Sequence, residues 1–138
     1  MIESPEYRRR FNQVSDNAQV NRKAWQFAKE MLEHRSGTRY EDLAFIDSDT
    51  GKGLINKNYD NERMANPSKA MMKMLNESAD GTVIAMHNHP GSSIPSIPDL
   101  KACIQRKYMK GIIVCHDGKI YVYSVNAKKY NDPMAISA

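Results

Sequence analysis

Apolar positions along the chain follow two periods, and the switches between them predict the order of the elements. From Asn17 to about Arg35 they recur at Val20, Ala24, Phe27, Ala28, Met31 and Leu32, one face of a helix, and Ser36-Gly37 supplies the stop. Glu41-Asp42-Leu43-Ala44-Phe45-Ile46-Asp47 reads as a strand closed by Ser48-Asp49-Thr50-Gly51, and Gly53-Leu54-Ile55 returns as the second arm of a hairpin. Asn66-Pro67-Ser68 predicts a helix start, with Asn66 as cap and Pro67 in the first turn. Ala70, Met71, Met74 and Leu75 then lie on one side as far as Asp80-Gly81. Thr82-Val83-Ile84-Ala85-Met86 is an unbroken apolar run with β-branched residues, the pattern of a central strand buried on both faces. Beyond Pro98, the residues Leu100, Cys103, Ile104 and Tyr108 make a short helix that stops near Lys110-Gly111. Two final strands, Gly111 to Cys115 and Lys119 to Val125, flank the hairpin signal His116-Asp117-Gly118.

The expected order is helix, hairpin, helix, central strand, helix, hairpin, which is an α/β sandwich with mixed strands. Residues 1–16 are polar without a clear period and read as an arm, and the segment from Asn126 to the end reads as a polar tail. Lys57 to Ala65 reads as a loop, or as an extension of the hairpin toward the central strand's carboxyl end.

Length and composition narrow this picture. A chain of 138 residues with 41% apolar content fits one domain with its own core. No run approaches the ~20 apolar residues of a membrane span, and MIESPEYRRRF lacks the apolar centre of a signal peptide, so a cytoplasmic setting is expected. The two cysteines, Cys103 and Cys115, fall in a helical and a strand pattern and read as reduced and buried. A formal charge of +4, with Lys and Arg spread out except at Arg8-Arg9-Arg10, is too mild for a dedicated nucleic-acid module.

The chemistry concentrates in HNHPGSSIPSIPDL, which begins at His87. Side chains at i and i+2 of a strand share a face, so His87 and His89 present two imidazoles side by side while Asn88 points away. Asp99 can add a carboxylate, because Pro90, Gly91, Pro95 and Pro98 bend and stiffen the intervening loop. Two imidazoles and one carboxylate leave a tetrahedral position open, as a catalytic zinc requires. His116 lies at a hairpin turn and reads as a solvated turn residue. Ser96 can cap the following helix, steady an oxyanion, or do both. The alternative is structural: the histidines end a strand and Ser96-Ile97-Pro98-Asp99 caps a helix.

These residues carry a resemblance. His87-x-His89-Pro90 followed by Pro95-Ser96-x-x-Asp99 resembles the JAMM signature of the JAB/MPN metalloproteases, and HNHP is especially similar to bacterial RadC-like and phage-encoded members. Six residues separate His89 from Ser96, one fewer than the family form usually has. The resemblance covers roughly residues 17–125 and implies a cytidine-deaminase-like fold, a mixed sheet flanked by about three helices. It implies Zn2+ held by His87, His89 and Asp99, with Ser96 assisting the oxyanion and an upstream glutamate as general base. Family members carry that glutamate at the start of the strand after the first helix, which selects Glu41, with Glu62 as runner-up.

The expected function is therefore zinc-dependent hydrolysis of a peptide or isopeptide bond. The resemblance implies a protein or peptide substrate, such as a ubiquitin-like conjugate or a phage protein. Two other readings stand beside it: an inactive assembly module of the same fold, which predicts a damaged metal site, and a RadC-like nucleic-acid role. Tyr121 and Tyr123 could stack bases, although at i and i+2 of a strand they read as sheet packing. A zinc deaminase is disfavoured, since its His-x-Glu and Pro-Cys-x-x-Cys elements are absent.

Overall fold

The computed structural model describes residues 1–58 and 65–125, together with the backbone of Ile136–Ser137. Its strands are β1 (Leu43–Asp47), β2 (Gly53–Asn56), β3 (Val83–His89), β4 (Lys110–Cys115), β5 (Ile120–Val125) and the two-residue β6 (Ile136–Ser137). They stand in the order β2-β1-β3-β4-β5-β6. β3 pairs antiparallel with β1 and parallel with β4, and the other pairings are antiparallel, so the sheet is mixed. The helices are α1 (Pro5–Arg10), α2 (Ala18–His34), α3 (Lys69–Glu77) and α4 (Ile97–Gln105), with a 3-10 turn over Phe11–Gln13. No helix among the described residues is long and apolar enough to cross a membrane.

The period-2 alternation of the strands divides the core into two layers. Ala44, Ile46, Ile84, Met86, Ile112 and Val114 face α2, where they meet Val20, Ala24, Phe27, Ala28 and Met31. Leu43, Phe45, Val83, Ala85, Ile113 and Cys115 face the other way, toward Met71 of α3 and Leu100 and Cys103 of α4. β3 is buried along its whole length, as a strand covered on both faces must be. The β4–β5 hairpin turns at Gly118, whose φ of 97° favours a residue without Cβ. At Gly111 a Cβ would strike the ring of Tyr123, so that glycine lets the tyrosine lie flat on the sheet. Both cysteines are free and buried, as expected.

Three expectations need correction. Residues 1–16 do not stay outside the domain: Ser4 caps α1 through its hydroxyl, and Tyr7, Phe11 and Val14 are buried in the α2 layer. Their spacing of four and then three is helical, but three apolar residues in a polar stretch are a weak signal. The cap of α3 is Ser68, whose Oγ accepts from the Met71 N–H at 3.2 Å, and the helix begins at Lys69. Asn66 instead accepts through its carbonyl from the Asn56 side chain at 2.8 Å. The first strand starts at Leu43, so Glu41 and Asp42 lie just before it. The expectations for Glu62, the middle of the Lys57–Ala65 segment and most of the C-terminal tail fall outside the described residues.

Candidate metal centre

At the carboxyl end of β3, His87 and His89 reach the same side of the sheet, and their Nε2 atoms stand 3.0 Å apart. Ser96 caps α4 by accepting the Asp99 N–H at 3.2 Å, and the Asp99 carboxylate accepts the Ser96 N–H at 2.8 Å. This reciprocal box fixes Asp99 in the first turn of α4, where the positive end of the helix favours a carboxylate. From there Asp99 turns back to the histidines: Oδ1 is 3.2 Å from His87 Nε2 and Oδ2 is 3.3 Å from His89 Nε2. Glu41 Oε1 lies 4.0 Å from His87 Nε2.

Glu41, His87 and His89 form a group that can hold a metal ion, since one donor atom from each lies within 4.8 Å of the others. Asp99 approaches both imidazole nitrogens more closely than Glu41 approaches His87. Both carboxylates thus lie within reach of the imidazole nitrogens. The groups line one cavity of about 350 Å³ whose wall includes Leu43, Ala85 and Tyr123.

His89 is oriented from behind. Its Nδ1 donates to the Ser93 carbonyl at 2.9 Å, with the Ser93 hydroxyl 3.0 Å away, so in the neutral ring the Nε2 lone pair faces the cavity. Burial works against a charged His89, but the Asp99 carboxylate and the Ser93 carbonyl outweigh it and raise the imidazole above its ordinary value. A metal ion bound here therefore competes with protons. Burial alone would raise Asp99, yet its hydrogen bonds with His87 and His89 bring its carboxyl well below the usual range. Glu41 moves the other way: burial raises it, against the opposing pull of the two imidazoles.

Sequence reasoning brought five residues to this site, and Glu41, His87, His89, Ser96 and Asp99 all line the same cavity. The Asp42 carboxylate is fully buried on the opposite side, held by Arg35 Nε at 2.7 Å and His34 Nδ1 at 2.8 Å. His116 stands in the β4–β5 turn as expected but is half-buried, and its Nε2 accepts from Asn88 Nδ2 at 3.1 Å. Burial lowers its basicity, which suits that acceptor role. Ser93, Asn88, Asp42 and Arg35 were missed. Tyr123 is buried and Tyr121 is partly covered, with its hydroxyl 3.4 Å from the Ser92 carbonyl, so the two rings pack on the sheet as expected.

In comparisons with known proteins, no family model matches the chain and no curated protein matches it.

Proposed function

We propose that this protein is a zinc-dependent hydrolase of peptide or isopeptide bonds, of the JAB/MPN kind. The observation that carries the reading is the set of three short separations among His87, His89 and Asp99, 3.0 to 3.3 Å. Ligands about 2.0–2.1 Å from a tetrahedral zinc stand about 3.3 Å apart, and each of these separations is close to that spacing, with Asp99 meeting His87 through Oδ1 and His89 through Oδ2. Glu41, at 4.0 Å from His87, is wider than that spacing and is suited to act on a water rather than to serve as a ligand.

When bound, zinc supplies a Lewis acid for a carbonyl and a water of lowered pKa. The side chains divide the remaining work. Glu41 accepts a proton from the attacking water and returns it to the leaving amine, and its burial-raised carboxyl favours such exchange. Ser96 spends one lone pair on the Asp99 N–H, which leaves its O–H proton to donate to the oxyanion that develops on the substrate. The cap role and the oxyanion role are therefore compatible in one hydroxyl. The assembly reading predicts a damaged metal site, and the intact set of donors weighs against it.

The test combines zinc quantification on protein purified without chelator with a peptidase and isopeptidase assay of the native chain, Glu41→Gln and His89→Ala. Native protein is expected to hold about one zinc and to cleave. Glu41→Gln is expected to keep zinc and lose ~10²–10⁴-fold in turnover, and His89→Ala to lose both. Native protein that holds no zinc would sink the metal reading, and a fully active Glu41→Gln would sink the assignment of the base.

A further inference from the structure

Asn88 is the residue between the two histidines. It is fully buried, on the face of β3 opposite the imidazoles. Its Oδ1 accepts the Asp42 N–H at 2.7 Å, and its Nδ2 donates to the Tyr40 carbonyl at 3.1 Å and to His116 Nε2 at 3.1 Å. One amide side chain thus uses both donors and its acceptor, and the Asp42 N–H fixes which end is oxygen.

Two of those bonds go to the backbone on either side of Glu41. That segment precedes β1, so the strand ladder does not hold it. From the network, we infer that Asn88 is the positioning residue for Glu41: it clamps Tyr40 and Asp42 to β3, and so fixes the distance between the Glu41 carboxylate and His87. Because Asn88 lies between His87 and His89 on the same strand, the base and the imidazoles are referenced to one piece of backbone. The role of Glu41 rests on the function proposed above, but the clamp itself does not.

The side chain is suited to this in a way that its neighbours in chemistry are not. A serine hydroxyl ends one bond short of the atoms that Asn88 uses, and an alanine has no polar atom to offer. An aspartate would turn an oxygen toward the Tyr40 carbonyl, which needs a donor. The Asp42 carboxylate adds a second hold on the same segment through Arg35 and His34. It anchors the side chain of that residue, whereas Asn88 fixes the peptide groups that set the direction of Glu41.

The experiment uses the full chain with Asn88→Ala and Asn88→Ser, and it reads two things. The first is hydrogen exchange of the Asp42 amide, which needs no activity. It is expected to be protected in the native chain and to exchange at least 10-fold faster in both variants. The second is turnover with zinc content measured in parallel, where an angstrom of misplacement costs on the order of 10²-fold. Zinc content and KM are expected to stay near native. In the Glu41→Gln background the same substitutions are expected to cost nothing further, because a residue acting through Glu41 has nothing left to position.

An Asp42 amide equally protected in both variants would overturn the clamp, and so would a full additional loss on top of Glu41→Gln. Should Asn88→Ala fail to fold, Asn88→Ser carries both measurements. A native chain that cleaves no peptide bond defeats the proposed function alone, and the exchange result still decides whether Asn88 holds the segment.

Discussion

The two faces of β3 carry polar groups of opposite character at the same level of the sheet. On one face, two imidazoles and two carboxylates converge on a point, their nitrogens and oxygens 3.0 to 4.0 Å apart, and with both rings neutral the group holds more acceptors than donors. On the other, Asn88, Asp42, Arg35 and His116 are matched donor to acceptor, and the three hydrogen-bonding groups of the Asn88 amide are all used. Buried polar groups normally end up in the second condition, because an unmatched one costs about 1–3 kcal/mol. The first condition is tolerable where a cation or a substrate completes it. The contrast teaches that burial and charge do not by themselves point to a site, whereas several titratable groups converging on one cavity do.

Substitution should separate the faces. Glu41→Gln removes one of the crowded acceptors, so it is expected to leave the urea midpoint unchanged or slightly raised while turnover falls ~10²–10⁴-fold. Arg35→Ala acts on the matched face. It leaves the fully buried Asp42 carboxylate with His34 as its one ion-pair partner among the described residues and is expected to cost ~3–5 kcal/mol in urea unfolding. A Glu41→Gln protein destabilised as much as Arg35→Ala would break the comparison, since both faces would then be structural.

Ser96 stands where the two kinds of role meet, and its effect is expected to be smaller on stability. Ser96→Ala deletes the acceptor for the Asp99 N–H and is expected to lower stability by ~1 kcal/mol. If its O–H also donates to the oxyanion, turnover falls ~10²-fold or more. Equilibrium unfolding and a kcat measurement on the same preparation check both. A stability loss with native turnover would reduce Ser96 to a cap.

The face that converges was legible in the sequence, and the face that is matched was not. The unbroken apolar run before His87 predicts a buried strand, period 2 then aligns His87 with His89, and Ser96-x-x-Asp99 is a local capping pattern, so each step needs only near neighbours. Asn88 was read merely as pointing away because its partners Tyr40, Asp42 and His116 lie 48, 46 and 28 residues distant. Arg35 and Asp42 lie seven residues apart, at a helix end and just before a strand, and no apolar period marks such a charged pair as buried. Ser93 sits in an exposed loop with no period at all, so its carbonyl's role behind His89 had no sequence signal. In the fold, the helices over β1 and β3 were recovered from dense periodicity, and α1 was lost because it offers few apolar residues.

The smallest effect lies at the far end of the β1–β2 hairpin, away from either face. Asp47 Oδ1 accepts the Asp49 and Thr50 N–H groups, each at 2.9 Å, and these bonds, that of Thr50 first, hold its carboxyl below the usual value. A carboxylate whose folded pKa is depressed contributes stability that is complete above its unfolded value near ~4 and is lost as pH falls through the lower folded value. Asp47→Ala is therefore expected to cost under about 1 kcal/mol at neutral pH, because solvent competes at this turn. The gap between native chain and variant is expected to close as the solution is acidified below pH ~4, read as converging urea midpoints. Since Asp47 is outside both networks, zinc content and turnover should stay native. A change in either would mean that the hairpin communicates with the Glu41 segment at the other end of β1, so that the site depends on the whole strand rather than on the Asn88 clamp.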